Sequence, residues 1–268
     1  MKKKIFGLAI GLAILALGSV DASAAEPICV DRVDEYTLQE AMMSAVSNEL
    51  DEITIQVTHA VQDNELNNIT EMLGDIKNLW TYRQPDVFNY TRDTKLQVLH
   101  YEDSFDITLV LGHGDGIDIE TAYAHKKASE DKAQEIYNQI VADGMIPEDA
   151  SELYIARVLL DWVCNNVSYL NDNTDTCHTA YSAFFNKTAV CDGYTSAYNL
   201  LLKAAGIHCY GVKGWAGGLH EWTAAILDGE LVYIDSTWCD VNDEAGTIDL
   251  TWFAVKPSEM ANHTAYYM

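Results

Sequence analysis

Basic residues are scarce in this chain. Its 268 residues include 16 Lys and Arg against 41 Asp and Glu, which gives a formal net charge of -25 at pH 7. Such an excess of negative charge opposes binding to nucleic acid and to anionic surfaces, and it favours solubility or cationic partners. We therefore expect no nucleic-acid partner, and we interpret the acidity as that of a solvated surface.

Long apolar runs are also scarce beyond residue 25. A membrane-spanning helix needs about 20 apolar residues, and no later stretch approaches that length. The segment up to residue 25 combines three lysines, an apolar run at 5–17 and the small residues Ala22, Ser23 and Ala24. This order is typical of a signal peptide. We expect cleavage after Ala24 or Ala25, no membrane anchor, and a secreted or extracellular product.

The most informative segment is VCDGY at 190–194, which precedes a strongly amphipathic stretch. Apolar residues recur at helical spacing through Ala205, and Gly206 supplies a left-handed stop. Cys191 is therefore expected at the N-terminus of a buried helix. There, unpaired N–H groups and the helix dipole stabilise a thiolate, so the position predicts a lowered thiol pKa.

A hairpin is predicted downstream of that helix. The sequence favours strands at 208–214, 220–227 and 231–236, with DG at 228–229 as a two-residue turn between the last two. Pairing Leu227 with Glu230 makes His220 and Asp235 diagonal neighbours on one face. Such neighbours lie roughly 7 to 8 Å apart, and their side chains can bridge that distance with a hydrogen bond.

Cys191, His220 and Asp235 have the chemistry of a thiol nucleophile, its base and the carboxylate that orients the base. His220 would take the thiol proton and later deliver it to the leaving group, while Asp235 fixes the imidazole tautomer. Taken singly, the cysteine suggests half of a disulfide, the histidine core packing and the aspartate a strand-end cap. Their joint geometry favours a catalytic triad.

The cysteine count bears on this prediction. The six cysteines are Cys29, Cys164, Cys177, Cys191, Cys209 and Cys239. If Cys191 is a free thiol, the other five cannot all pair within one chain. Cys209 could pair with Cys239, and Cys164 with Cys177, which would leave the first cysteine unpaired. A bridge to Cys191 would exclude the nucleophile.

Residues 189–238, with VCDGYTSAYNLLLKAAGI, HEW and YIDSTW, resemble the catalytic core of the transglutaminase-like superfamily of papain-like thiol enzymes. The resemblance extends to 136–263 through LDWV and CHTAYSAFFNKTAV upstream and FAVKPSEMANHT downstream. It implies an α+β fold with the nucleophile helix packed on an antiparallel sheet. It also implies acyl transfer through a thioester and no obligatory organic cofactor. Glu221 departs from the family pattern; we expect it to point away from His220 and to perturb little.

Four residues are candidates for the substrate cleft: His178, Tyr181, Trp215 and Trp222. His178 lies in a segment similar to one that recurs in the family, which implies a structural or cleft-lining role. Tyr181 could donate to an oxyanion beside the Cys191 N–H, or it could be a packed aromatic. Trp215 lies in a glycine-containing loop and is expected to shape one wall of the cleft.

Residues 26–143 are predicted to form a separate α+β accessory domain, a small α/β sandwich before the core. The predicted helices are 37–50, 65–81 and 119–142, and the predicted strands are 53–58, 95–101 and 106–111. Gly144 and Pro147 mark a linker to a catalytic domain at 144–268. The acidic segment 113–120 lacks calcium-loop spacing and is interpreted as an ordinary turn, so no metal site is predicted.

The sequence thus predicts a secreted thiol-dependent acyl-transfer enzyme that acts on peptide or glutamine carboxamide bonds of a protein or peptide substrate. Water as the acceptor would make it a peptidase or amidase, and an amine would make it a transamidase; both stay open. The alternative is a non-catalytic binding or surface-assembly module that retains the fold. No cofactor is predicted.

Overall fold

The computed structural model describes residues 26–83, 95–111, 118–241 and 247–266, without the side chains of 77–83 and 175. These residues form two compact units. The N-terminal unit holds 26–79, 95–111 and 118–120, and the C-terminal unit holds 80–83, 121–241 and 247–266. Within these ranges, no helix is both long and apolar enough to cross a membrane.

The N-terminal unit contains a four-stranded sheet. Its elements are β1 (Ile28–Val30), α1 (Glu35–Ser47), β2 (Glu52–Val57), α2 (Glu65–Arg83), β3 (Lys95–His100) and β4 (Phe105–Val110). The strand order is β1-β2-β4-β3, with β1 parallel to β2 and the other pairs antiparallel. Alternate residues of β2 and β4 are buried, as expected for a sheet with one face on the core. The sequence did not predict β1, because three residues are too few to show a period.

The C-terminal unit packs helices against one main sheet. Its elements are α3 (Ile119–Ala142), α4 (Glu152–Asn166), β5 (Ser168–Tyr169), a 3-10 turn (Asp175–His178), a π-helical turn (Ser182–Asn186), β6 (Thr188–Ala189), α5 (Cys191–Ala204), β7 (Cys209–Trp215), β8 (Leu219–Leu227), β9 (Glu230–Ile234), α6 (Ser236–Cys239), a second 3-10 turn (Leu250–Trp252) and β10 (Thr264–Ala265). The main sheet has the order β10-β7-β8-β9, antiparallel throughout, and β5 pairs with β6 separately. The predicted α+β class is confirmed.

Helix α5 is the centre of the core. Its inward stripe is fully buried and consists of Tyr194, Ala197, Tyr198, Leu201 and Leu202. The Tyr198 hydroxyl donates to the Ala156 carbonyl oxygen at 2.8 Å. The Tyr194 hydroxyl lies 2.7 Å from an Asp240 carboxylate oxygen and 3.0 Å from the Val167 carbonyl oxygen. These bonds avoid the cost of an unsatisfied buried hydroxyl. The helical spacing read from the sequence therefore identifies the face that holds Cys191 in place.

The turn between β8 and β9 fixes the register of the hairpin. Both residues at 228–229 have positive φ values, 51° and 86°, which a type I′ turn requires. Leu227 pairs with Glu230, as predicted, and the ladder keeps that register to the end of β9. The strand ends before Asp235 rather than at residue 236, because the Asp235 carboxylate caps helix α6.

The predicted domain boundary at residue 143 differs from the division into compact units. Helix α3 falls in the C-terminal unit from residue 121 onward. The reason is that Ala133, Ile136 and Ile140 are buried in the same apolar cluster as helix α5. A helical period shows that a helix has an apolar face, but it does not show which core that face covers.

Candidate active site

Cys191 is the first residue of helix α5. Its backbone N–H is one of the four that helix geometry leaves without an intrahelical acceptor. The Cys191 sulfur receives hydrogen bonds from the backbone N–H groups of Glu221 and Asp192. Thr195 donates to the Glu221 carbonyl oxygen at 3.0 Å. Helix α5 and strand β8 are therefore joined beside the thiol.

Gly193 allows the preceding chain to pack against the start of helix α5. A Cβ atom at this position would lie 2.7 Å from the Cys177 carbonyl oxygen and 2.8 Å from the Ala189 Cβ. Backbone atoms cannot yield easily to such an overlap. The glycine two residues after the cysteine is therefore required by the packing of the site.

The sequence predicts a lowered pKa for Cys191, and this prediction is wrong. Burial, followed by the carboxylates of Asp192 and Glu221, raises the pKa of the Cys191 thiol to about 12 against the opposing backbone hydrogen bonds. Desolvation outweighs the helix terminus because it penalises the charged form directly. Glu221 was expected to perturb little, yet it is only 1% exposed and its charge acts on the thiol. The raised pKa therefore favours the neutral thiol.

His220 and Asp235 are hydrogen-bonded, as the hairpin register predicts. His220 Nε2 lies 2.7 Å from Asp235 Oδ2. Because a carboxylate only accepts, Nε2 carries the proton and Nδ1 keeps its lone pair. The neutral imidazole therefore has its basic nitrogen directed away from Asp235. This is the tautomer that a proton-accepting histidine requires.

Asp235 is fully buried, yet both of its oxygens are satisfied. Oδ1 accepts from the backbone N–H groups of Thr237 and Trp238, each at 3.0 Å. Oδ2 faces two imidazoles, those of His220 and His263. Burial alone would raise the pKa of this carboxyl, but the hydrogen bonds from the histidines and from Trp238 outweigh burial and hold the pKa below its usual value.

His263 is a site residue that the sequence analysis missed. Its Nε2 lies 3.0 Å from Asp235 Oδ2, and its Nδ1 lies 2.9 Å from the Ala261 carbonyl oxygen. It precedes β10, which pairs with β7 over only two residues. The only available signal was its place at the end of the FAVKPSEMANHT segment, since a two-residue strand shows no period.

Gly214 on β7 allows this arrangement. A Cβ atom at 214 would overlap the Thr264 carbonyl oxygen and would lie 2.6 Å from the ring of Trp222. Because Gly214 pairs with His220 in the β7–β8 ladder, the close approach of β10 brings His263 beside the predicted base.

His220, Asp235 and His263 also form the one group with metal-ligand spacing within the described ranges, with ligand atoms inside 4.8 Å. A tetrahedral ion bound at about 2.1 Å would separate an imidazole nitrogen from a carboxylate oxygen by roughly 3.4 Å. The two observed separations are 2.7 and 3.0 Å. These are hydrogen-bond distances, so we interpret the group as proton-linked. Residues 112–117, which include most of the predicted acidic turn, lie outside the described residues.

A second histidine–carboxylate pair lies at the start of helix α5. His178 Nδ1 is 2.8 Å from both carboxylate oxygens of Asp192. The side chains are 27% and 11% exposed. The pair links the 3-10 turn before the nucleophile to the residue immediately after it, which agrees with the structural role expected for His178.

The other three cleft candidates differ in exposure. Tyr181 stacks on His125 with ring centroids 3.6 Å apart, which matches the packed-aromatic interpretation. Trp215 is 52% exposed at the end of β7 and faces Leu219, which is 80% exposed. Trp222 is fully buried. It is therefore a core residue and not a cleft residue, because its side chain packs between β7 and the ring of His263.

All six cysteines are free thiols. The suggested pairs of Cys209 with Cys239 and of Cys164 with Cys177 are therefore wrong. Three of these thiols donate to backbone carbonyl oxygens instead: Cys164 to Ser236 at 3.9 Å, Cys177 to Thr174 at 3.1 Å and Cys209 to Asn199 at 3.4 Å. The requirement that Cys191 be unbridged is met.

The fold and this site define a class of protein. Residues 139–242 match the model of the transglutaminase-like superfamily. The matched range contains Cys191, His220 and Asp235. Over these residues the chain is similar to the transglutaminase-like superfamily, as the sequence resemblance implies.

Individual relatives are distant. The chain is 25% identical over 134 residues to the kyphoscoliosis peptidase of Mus musculus, covering 42% of this chain. It is 23% identical over 128 residues to the Homo sapiens protein of that name, covering 41% of this chain. The chain spans 19% of the length of each. A crystal structure of a TGase is similar at 14% identity and a TM-score of 0.36, over 72% of this chain and 53% of that one.

Proposed function

We propose that the C-terminal unit is a thiol-dependent acyl-transfer enzyme that acts on peptide or glutamine carboxamide bonds. Cys191 is the nucleophile, His220 its base and Asp235 the group that orients the base. The observation that carries the proposal is the 2.7 Å hydrogen bond between His220 and Asp235. One of the two backbone N–H groups that bind the Cys191 sulfur belongs to Glu221, the next residue after this histidine.

Acylation begins when His220 Nδ1 takes the Cys191 proton as the sulfur bonds to the substrate carbonyl carbon. The backbone N–H of Cys191, at the helix start, donates to the oxyanion of the tetrahedral intermediate. The imidazolium then gives its proton to the leaving nitrogen as the C–N bond breaks, which leaves a thioester on Cys191. Water or an amine attacks the thioester, loses a proton to His220 and releases the Cys191 sulfur, which recovers its proton.

The raised pKa of Cys191 makes the base indispensable. Burial and the neighbouring carboxylates raise the pKa of the Cys191 thiol, so the thiolate is scarce at neutral pH. Attack by a preformed thiolate alone is therefore disfavoured. The proton must therefore move to His220 as the sulfur attacks.

Apolar side chains beside the base support a peptide substrate. Trp215 and Leu219 are opposite each other in the β7–β8 ladder, one position from the pair of Gly214 and His220. Both are exposed. These two side chains offer an apolar contact for a substrate side chain near the bond that reacts.

The proposal is tested by incubating the protein with a library of glutamine-containing peptides and a labelled amine, followed by mass spectrometry. Amine incorporation identifies a transamidase, and cleavage or deamidation identifies a hydrolase. Either product should fall by at least about 10³-fold in Cys191→Ala and His220→Gln. Cys29→Ala, which removes an exposed thiol of the N-terminal unit, is the matched control and should retain full activity.

Product formation that persists in Cys191→Ala contradicts the proposed nucleophile. The alternative of a non-catalytic binding module has its own signature. Such a module leaves every peptide unchanged, and wild type and Cys191→Ala bind the same peptides equally.

Export is a further part of the proposal. Residues 1–25, which carry the signal-peptide pattern, lie outside the described residues. Expression with the leader in a secreting host should give a product whose N-terminus is residue 25 or 26. A cell-retained product that begins at residue 1 contradicts export.

A further inference from the structure

His263 has a hydrogen-bond acceptor at each of its ring nitrogens. Nδ1 faces the Ala261 carbonyl oxygen at 2.9 Å, and Nε2 faces Asp235 Oδ2 at 3.0 Å. Neither a carbonyl oxygen nor a carboxylate can donate. A neutral imidazole has only one N–H, so one of these contacts would place two lone pairs against each other.

We propose that His263 is an imidazolium that neutralises Asp235 and so acts as a positioning residue for His220. A proton on each nitrogen satisfies both contacts. The charges of the buried cluster are then one carboxylate, one imidazolium and one neutral imidazole. The lowered pKa of Asp235 supports the ionised carboxylate.

The surroundings of His263 stabilise this arrangement. Its side chain is 1% exposed, and that of Asp235 is 0% exposed. Rings of Trp222, Trp238 and Trp252 lie within 5.3 Å of the His263 ring, measured between centroids. They exclude water, and a water-poor setting strengthens the attraction between the imidazolium and the carboxylate. An isolated charge would be costly there, but a paired one is tolerated.

Among the described residues, the other charged groups recorded near the pair lie on β7 and β8. His220 on β8 shares Asp235, with its ring centroid 5.9 Å from that of His263. The second 3-10 turn and α6 contribute Trp252 and Trp238, whose side chains carry no charge. Glu221 on β8 lies next to Cys191 and faces Lys213 at 3.6 Å. The carboxylate of Asp235 is thus the group that holds the His263 proton.

This charge has a consequence for catalysis, which rests on the function proposed above. Two imidazoles share one carboxylate, so the Asp235 charge that would stabilise a His220 imidazolium is already neutralised by His263. An imidazolium at His220 would also lie close to a second positive charge. The resting state is therefore a neutral thiol and a neutral imidazole, in agreement with the raised pKa of Cys191.

The charge state is measured directly by ¹⁵N NMR of the histidine rings in the wild-type protein. The His263 signals are assigned by their contacts with tryptophan protons. Both ring nitrogens should be protonated at pH 7. One unprotonated His263 nitrogen at pH 7 would overturn the proposal. This readout needs no substrate, so it is independent of whether the enzymatic function is correct.

His263→Gln tests the effect on the catalytic pair. Glutamine keeps one donor for Asp235 but carries no charge. Removing a positive charge about 6 Å from the His220 ring favours the thiolate–imidazolium form, and alkylation of Cys191 by iodoacetamide at pH 7 should become about tenfold faster. The rate at pH 10, where thiolate formation needs the base less, should change less.

His59→Gln is the matched control, because His59 forms a histidine–carboxylate pair with Glu65 in the N-terminal unit. It should leave the alkylation rate unchanged at both pH values. A purely structural role of His263 predicts an equal loss of rate at both pH values in His263→Gln, and that result would overturn the proposal.

Discussion

Two histidine–carboxylate pairs lie on the two segments that contact Cys191, and they differ in burial and in the group that each affects. His178 and Asp192 are partly exposed, at 27% and 11%, whereas His220 and Asp235 are 8% and 0% exposed. Asp192 adjoins the cysteine in sequence, so its charge raises the pKa of the thiol. Asp235 follows β9 and is hydrogen-bonded to the imidazole of His220. The same pairing of residue types therefore opposes ionisation of the thiol on one side and, in the proposed mechanism, orients the base on the other.

Each pair also depends on one glycine. Gly193 allows the segment of Cys177 to pack against helix α5, and Gly214 allows β10 to approach β7. The first contact supports the His178 side and the second supports His263. The comparison shows that both sides of the nucleophile need close backbone packing, although only one side is fully closed to water.

Asp235→Asn should have the largest effect on this comparison. An asparagine can donate where a carboxylate only accepts, so it disturbs the tautomer of His220, and it leaves the charge of His263 unpaired. The rate of the peptide reaction should fall by about 10²- to 10⁴-fold. Asp249→Asn, at an exposed cap of the second 3-10 turn, is the control and should keep its rate. Wild-type activity in Asp235→Asn would show that the Asp235 carboxylate is not needed to orient His220.

Gly214→Ala should destabilise the C-terminal unit, because its Cβ would overlap the Thr264 carbonyl oxygen. The free energy of unfolding in urea should fall by about 1–3 kcal/mol. Gly193→Ala should give a loss of similar size through Cys177. Gly218→Ala has nothing within 4 Å of the new Cβ and serves as the control. Equal stability of all three variants would contradict the proposed packing.

Asp192→Asn should make Cys191 easier to ionise. The substitution removes a carboxylate that raises the thiol pKa, while the amide can still hydrogen-bond to His178. Alkylation at pH 7 should be about tenfold faster, since about one pKa unit is expected for one adjacent charge. Glu152→Gln, on helix α4, should leave the rate unchanged. A slower reaction in Asp192→Asn would mean that the pair of His178 and Asp192 stabilises the thiolate of Cys191 rather than destabilising it.

The thiol side of the comparison also predicts a pH dependence of stability. The pKa of Cys191 is raised to about 12, and that of Cys209 to about 11, both mainly by burial and both from a value of 9.0 in unfolded chains. A raised folded-state pKa contributes stability that is present below pH 9 and lost as the pH rises through the folded value. Each thiol should cost roughly 1 kcal/mol of unfolding free energy per pH unit above pH 9.

This prediction is measured by urea unfolding at pH 8, 9, 10 and 11. Cys209→Ala should start from a lower stability but lose less of it across the range than the wild type does. Parallel curves for the two proteins would show that Cys209 does not titrate with unfolding.

The sequence predicted the parts of the site that rest on local periodicity and turn chemistry. Helix α5 follows from its apolar spacing, and the contact of His220 with Asp235 follows from the turn at 228–229. The sequence did not predict His263, because β10 is too short to show a period. The pKa of Cys191 was mispredicted because it depends on burial and on Glu221, and neither is visible before strands and helices pack together.

The central claim is that His220 acts as the base for Cys191. It is tested most directly by the rate of Cys191 alkylation by iodoacetamide at pH 7 in wild type and in His220→Gln, measured by peptide mapping. The account predicts a rate at least about tenfold lower in His220→Gln, with the other five thiols unchanged, because a buried thiol without its base stays protonated. Equal rates of Cys191 alkylation in the two proteins would contradict it.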